Sequence, residues 1–325
     1  MLLSSYINSL TVKLTLEQRR GTSKGYKSTL CSVISFFGKS VTLTDLYTKE
    51  HLAYYQSRLR ESGCCWNTVS FYMRTLQRVH NLAVDDGAIP PTHNLFGSVF
   101  TGYDPTEKRA LSAEIIILLE DADFVGKPKL QFSRDMFMLS YYLHGISYVD
   151  MAYLRKTDMR NGHISYHRKK SGSRISTPVE ENAIEIIHRY QHLTAGSPYL
   201  LPIIRHPEND EYKQYQSALR SHNRRLKCIA RELKIEETLT SYVSRHSWAT
   251  NAYHFGVPTA VISQALGHRT ETITRIYLAE FNLDSLNNAN ELMRQAFLDL
   301  KTGKKWGEKE NVRLYSSDGQ KLMQT

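Results

Sequence analysis

The sequence predicts a mainly α protein of two domains, the second carrying one small β-hairpin or sheet. Three features point there. Apolar residues recur at helical spacing through most of the chain, the period drops to two only around 163–179, and the polar stretch 101–110 has no apolar period. A length of 325 residues leaves room for two ordinary domains, at about 150 residues each. The expected layout is a helical domain over 1–100, a linker over 101–110, a mostly helical domain over 111–300 and a basic, weakly ordered tail over 301–325.

Helices of the first block begin by about residue 22. From Tyr26 onward Leu30, Val33, Ile34 and Phe37 keep helical spacing, and Gly38 follows as a C-terminal stop. Thr48 caps a second helix with Glu50 in its first turn, Leu52, Tyr55 and Leu59 inward, and Gly63 at its end. Asn67 caps a third, whose Val69, Tyr72, Met73, Leu76, Val79 and Ala83 form one stripe, with Arg74 and Arg78 on its other side. Asp86-Gly87 ends it, Pro90-Pro91 closes the block, and a short helix follows near 95–100.

In the second block Ser112 caps a helix through Ile115, Ile116, Leu118 and Leu119, and a more apolar helix runs from about Arg134 to Leu143, ending at Gly145. Ile164 and Tyr166 then alternate with polar residues, Lys170-Ser171-Gly172 turns the chain, and Ile175 to Val179 returns as the second strand. Helices resume near Glu180. The segment 210–234 is long and amphipathic, with Arg220, Arg224, Arg225, Lys227, Arg231 and Lys234 giving it a basic side. Thr240 or Ser241 caps a helix ending at Gly256, Pro258 opens the next, Gly267 ends that one, and a further helix opens near Thr270 with Tyr277 two turns in.

Composition narrows the class. Forty-two Lys+Arg against 32 Asp+Glu leave a formal charge of +10, which favours a polyanionic partner, most simply nucleic acid. The most apolar run, 136–143, is broken by Ser140, Tyr141 and Tyr142 and falls short of a membrane span. The N-terminus lacks a basic n-region and a long apolar h-region, so secretion is not expected. Cys31, Cys64, Cys65 and Cys228 form no CxxC, so neither a disulfide framework nor a zinc site is expected. The expectation is a cytoplasmic protein with no membrane contact, no metal and no cofactor.

The chemistry concentrates late in the chain. Tight glycine turns between short helices can fold Arg245, His268 and Tyr277 toward one point. A guanidinium matches a phosphate in bidentate fashion. A phenol, with a pKa near ~10, attacks phosphorus usefully only where cations stabilise its anion. Attack on a phosphodiester builds charge on the equatorial oxygens, which Arg245 and His268 can neutralise without metal.

The ordered set Arg245-His246, Leu266-Gly267-His268 and Tyr277 resembles the tyrosine recombinases, the phage-integrase family of site-specific DNA recombinases. The resemblance covers most of the chain: an N-terminal helical core-binding domain, a linker, and a catalytic domain with one hairpin. It implies that Tyr277 forms a 3′-phosphotyrosine and frees a 5′-hydroxyl. It makes Arg245 the second catalytic arginine and His268 its phosphate-binding partner. The hairpin turn Lys169-Lys170-Ser171-Gly172 resembles the one presenting the family's catalytic lysine, with Lys170 favoured over Lys169 as general acid. Asp150 matches an acidic residue that braces the site, whereas His246 and Trp248 read as packing residues.

Two positions depart from the family pattern. Aligning 144–150 on the family motif puts Ser147 where the first catalytic arginine belongs, and Tyr242 stands where the motif's first histidine belongs. Losing one preorganised donor costs roughly 10²–10³ in rate, so another cation is expected to fill the gap, with His144, Arg155 and Arg174 as candidates. Tyr242 either donates its hydroxyl to the phosphate or packs beneath Arg245.

The expected function is cleavage and rejoining of double-stranded DNA by a homo-oligomer, a tetramer on paired sites, acting with the nucleoid. The helix 284–300 either reaches a neighbouring protomer or packs on its own domain. Arg74, Arg78, Arg220 and Arg224 are expected to set affinity through DNA phosphates. The absence of an arm-binding domain before residue 22 favours a DNA invertase or a small-element integrase. The alternatives are a DNA-binding regulator or accessory protein with a weakened site, and a nickase or type IB topoisomerase, for which no clamp domain is visible.

Overall fold

The computed structural model describes residues 1–105, 110–268, 270–278 and 293–294, the side chains of 275–278 excepted. The chain divides into two compact units, Met1–Glu107 and Lys108–Thr325.

The first unit is helical: α1 (Leu3–Leu16), α2 (Arg20–Phe37), the short α3 (Leu43–Leu46), α4 (Lys49–Glu61) and α5 (Trp66–Asp85). Leu3, Ile7, Val33, Leu52, Tyr55, Met73, Leu76 and Val79 form its core. Helices thus start at Leu3 rather than near residue 22. Apolar positions at Leu3, Ile7 and Leu14 are diluted by Ser, Asn and Thr, and α1 has no capping side chain to announce it. Its start is pinned by backbone contacts instead, Leu3 N–H to the Val41 carbonyl and Leu43 N–H to that of Met1, both 3.0 Å.

Thr48 caps α4 through the His51 N–H as the sequence suggests. Asn67 does not cap α5. The helix begins one residue before it, behind Cys65, and the Asn67 amide pairs with the Asp104 backbone, donating to its carbonyl at 2.6 Å and accepting from its N–H at 3.0 Å. The stretch near 95–100 forms turns rather than a helix, with Leu95, Phe96 and Val99 buried.

In the second unit α6 (Ala113–Asp121), capped by Ser112, precedes α7 (Pro128–Tyr142), which starts at a proline earlier than expected. Then come α8 (Tyr148–Ala152) and the antiparallel sheet β1 (Met159–Arg160), β2 (His163–His167) and β3 (Arg174–Pro178) in the order β1-β2-β3. The β2–β3 register sets Ile164 opposite Thr177 and Tyr166 opposite Ile175. The strand β1, at two residues, is too short to show a period. The remaining helices are α9 (Glu181–Tyr190), α10 (Glu211–Glu232), α11 (Val243–His254), α12 (Thr259–Ala265) and α13 (Glu271–Leu278).

Apolar α7 is the centre of this unit, packed against α6, α9, α10 and α11. Its one fully buried acid, Asp135, is satisfied by Arg189 and the Tyr190 hydroxyl, both at 2.7 Å. A buried carboxylate without such partners would neutralise or unfold its helix.

His222 on α10 is buried, stacked on Tyr148 at 4.5 Å, and neither ring nitrogen finds a hydrogen bond among the described residues. Burial, reinforced by Arg225, pushes its pKa from 6.5 down to about 3. The folded protein keeps the ring neutral while the unfolded chain takes up a proton. This contribution to stability is complete above pH 6.5 and shrinks as pH falls toward 3. By about pH 5 it amounts to a loss of roughly 2 kcal/mol. His222→Phe keeps the stack, so its urea midpoint is expected to fall less than the wild type's between neutral pH and about pH 5. Equal slopes would rule His222 out as the source.

Candidate functional site

The site forms where the end of α7, the start of α11, the end of α12 and the hairpin turn meet. Past α7 the chain turns through His144 and Gly145, at φ 56° and 72°. Small hydroxyls fix helix α11: Ser244 Oγ donates to the Phe137 carbonyl of α7 at 3.0 Å, and Ser247 Oγ accepts the N–H of Leu111, just ahead of α6, at 2.9 Å. Arg245, between those serines, is 1% exposed.

Its guanidinium is held by backbone. Nη1 donates to the Gly145 carbonyl at 2.8 Å, and Nη2 donates to the Leu266 carbonyl and to His268 Nε2, the latter at 3.3 Å. A guanidinium has no acceptor, so Nε2 must accept. The imidazole proton then sits on Nδ1 and is donated to Thr274 Oγ1 at 2.8 Å. Burial first, then Arg245, Arg168 and Lys170, push the His268 pKa down to about 4. That keeps the imidazole neutral beside three cationic side chains.

The hairpin reaches the same turn. Gly172 at φ 70° closes it, its N–H going to the Arg168 carbonyl at 2.8 Å. Arg168 Nη1 donates to the Gly267 carbonyl at 3.1 Å. Gly267 is at φ 62°, and a Cβ there would lie 2.7 Å from Ile175 Cδ1 and 2.9 Å from Arg168 Cδ, so only glycine lets hairpin and α12 approach this closely. The Lys169 ammonium lies over the Tyr153 ring, 4.3 Å from its centre, and the Lys169 main-chain N–H donates to Asp150 Oδ1 at 2.8 Å. Lys170 is exposed on the turn and close enough to weigh on His268.

Ser147 caps α8 and donates its hydroxyl to Asp150 Oδ2 at 2.7 Å. Asp150, 4% exposed, thereby joins the start of α8 to the hairpin base. His144 packs on the Trp248 ring at 4.9 Å, and burial lowers its pKa, so it is a poor source of charge. Arg155 N–H binds the Asp158 carboxylate, its backbone bridges to Tyr199, and its side chain is exposed. Arg174 is exposed on the strand face opposite Ile175. Tyr242 stands just ahead of α11, 47% exposed, edge-on to His246 at 4.6 Å. Neither Thr240 nor Ser241 caps that helix; Tyr242 occupies the cap position and its side chain makes no capping hydrogen bond.

Tyr277 lies on α13, in the same helix as Thr274, and its side chain is outside the described residues. The helix expected over 284–300 and the tail 301–325 also lie outside them, residues 293–294 excepted. Arg74 and Arg78 are exposed on α5, in the first unit. Arg220, Arg224, Lys227 and Arg231 are exposed on α10 at helical spacing, making one basic stripe. Sequence reading missed Arg168. Its only signal is a place two residues before Lys170 at the end of an alternating strand.

Two family models match the chain, the phage integrase SAM-like domain over residues 2–96 and the phage integrase family over 122–282. Tyrosine recombinase XerD of Listeria innocua is 25% identical over 299 residues, covering 85% of this chain and 93% of the relative. The Listeria monocytogenes protein of the same name is 24% identical over the same shares. Among solved structures, a lambda integrase dimer bound to a COC′ core site superposes with a TM-score of 0.62 at 15% identity, covering 85% of this chain and 95% of that one. The Tn1549 transposon integrase in complex with transposon right end DNA gives 0.62 at 16% identity, covering 90% and 100%. No helix among the described residues is long and apolar enough to cross a membrane.

Proposed function

We propose, for a chain that belongs to the phage integrase family of tyrosine recombinases, that it rearranges DNA as an invertase or small-element integrase through Tyr277. The observation that carries this reading is the convergence of Arg245, His268 and the hairpin residues Arg168 and Lys170 on one turn, beside the helix that bears Tyr277.

The Tyr277 oxygen attacks phosphorus, the bond to the 5′-oxygen breaks, and a 3′-phosphotyrosine and a 5′-hydroxyl result. The phenol loses a proton, and Lys170 gives one to the leaving oxygen. The packing of the Lys169 ammonium on the Tyr153 ring supports Lys170 in that role. Arg245 and His268 stabilise the charge on the non-bridging oxygens. The phosphotyrosine keeps the energy of the broken bond, so attack by a new 5′-hydroxyl rejoins the strand.

Double-stranded DNA is the partner, gripped by Arg74 and Arg78 on one unit and by the Arg220, Arg224 stripe on the other. Asp150 braces the site, and Tyr242 either offers its hydroxyl to the phosphate or packs beneath Arg245. The working form is a homotetramer on paired sites in the cytoplasm; the solved lambda integrase tetramer bound to a Holliday junction supports the tetramer.

Long-read sequencing of the source strain, wild type against Tyr277→Phe, tests the reading. Inverted junctions between short inverted repeats that vanish in the variant are expected of an invertase, and excised circles of an integrase. Identical junction counts in both strains would sink it in favour of a DNA-binding regulator.

A further inference from the structure

We propose that Arg168 is a phosphate-contacting catalytic residue that supplies, from the base of the hairpin, the positive charge that Ser147 does not. Ser147 spends its hydroxyl on Asp150 and on the cap of α8. That same carboxylate oxygen, Asp150 Oδ2, lies 3.8 Å from Arg168 Nε. The charge absent at Ser147 therefore sits one carboxylate away, on a different element.

Arg168 also shares the anchorage of Arg245. Arg245 Nη2 holds the Leu266 carbonyl and Arg168 Nη1 holds the next one, that of Gly267. Two guanidinium groups on consecutive carbonyls flank the turn that delivers His268. The Arg168 side chain is 10% exposed and held by its Nη1 bond to the Gly267 carbonyl, while its Nε, buried without a hydrogen bond among the described residues, faces Asp150 Oδ2 at the 3.8 Å of an ion pair. Only the Nη1 bond to Gly267 is made by the guanidinium among the described residues, and its other N–H groups are donors suited to a phosphate. A charge already held in place needs no reorganisation when the phosphate arrives. His144, Arg155 and Arg174 do not share this anchorage.

The proposal rests on the recombinase reading only for the identity of the phosphate as a DNA diester, so its first test uses inorganic phosphate. The His268 ring signals of the full-length protein are followed by NMR as phosphate is added near neutral pH. Glutamine at 168 has no charge and ends two bonds short of Nη1, so Arg168→Gln is expected to weaken binding about tenfold or more. Arg168→Lys, which keeps the charge, is expected to bind within about threefold of wild type, and it carries the test should the glutamine variant fail to fold. Arg174→Gln is expected to change nothing. Equal affinities for wild type and Arg168→Gln, or no saturable shift in the wild type, would overturn the proposal.

The kinetic counterpart uses a duplex with a junction sequence recovered from the genome. Replacing the scissile phosphate by a methylphosphonate removes the charge that Arg168 neutralises. The cleavage defect of Arg168→Gln is expected to be about 10²-fold on phosphate and to vanish on methylphosphonate. A purely structural Arg168 would leave the same defect on both. Phosphate binding that depends on Arg168 in a strain without Tyr277-dependent junctions would keep the phosphate site and remove the recombinase reading.

Discussion

Arg245→Ala is expected to abolish strand cleavage and to destabilise the second unit together. The side chain is 1% exposed, and its removal strips the Gly145 and Leu266 carbonyls of a charged donor and His268 Nε2 of its hydrogen bond. A buried acceptor left unsatisfied costs about 1–3 kcal/mol, so a loss of roughly 2–6 kcal/mol in unfolding free energy is expected from the two carbonyls. Arg245→Lys separates chemistry from folding. It keeps the charge, cannot reach both carbonyls with a planar fork, and is expected to fold while losing about 10²–10³ in cleavage rate. Urea unfolding and single-turnover cleavage measure the two effects. A lysine variant cleaving at the wild-type rate would show that the forked geometry is unimportant.

Gly145→Ala is expected to be nearly as damaging although it changes no polar group. Gly145 sits at φ 72°, and a Cβ there would lie 2.8 Å from Arg245 Cα, a backbone atom that cannot swing aside. The left-handed conformation costs a non-glycine residue about 1–2 kcal/mol, and overpacking adds about 1–3 kcal/mol. Displacing α11 also moves Arg245, and a misplacement of about 1 Å can cost ~10²-fold in rate. Gly162 makes a matched control: it has the same φ of 72° with no atom within 4 Å of its Cβ position. Gly162→Ala is expected to lose only the conformational part, about 1–2 kcal/mol, and to keep full activity. Should the two alanine variants behave alike, the approach of Gly145 to Arg245 does not govern the site.

Helices with long apolar stripes were legible because burial repeats with the helical period, as at Leu52, Tyr55 and Leu59 or along α5. The hairpin was legible for the matching reason, a period of two around Ile164 and Ile175. Elements held by backbone contacts were not: α1 leans on residues 41–43, and β1 has only two residues. Asn67 read as a cap because its chemistry suits one; a distant backbone at Asp104 competed for the same side chain.

By itself the sequence determined the helical class, the basic character and the ordered set Arg245, His268, Tyr277, since each is a matter of residue type and local spacing. It also showed that the position of Ser147 lacks a charge. Only the tertiary structure decided where other charge gathers. Arg155 and Arg174 have the same chemistry as Arg168, but Arg168 alone of the three meets Asp150 and the Gly267 carbonyl, across 18 and 99 residues of chain. Charge acts through distance in space, and a residue's partners there are fixed by how α8, α12 and the hairpin pack, which no local pattern encodes.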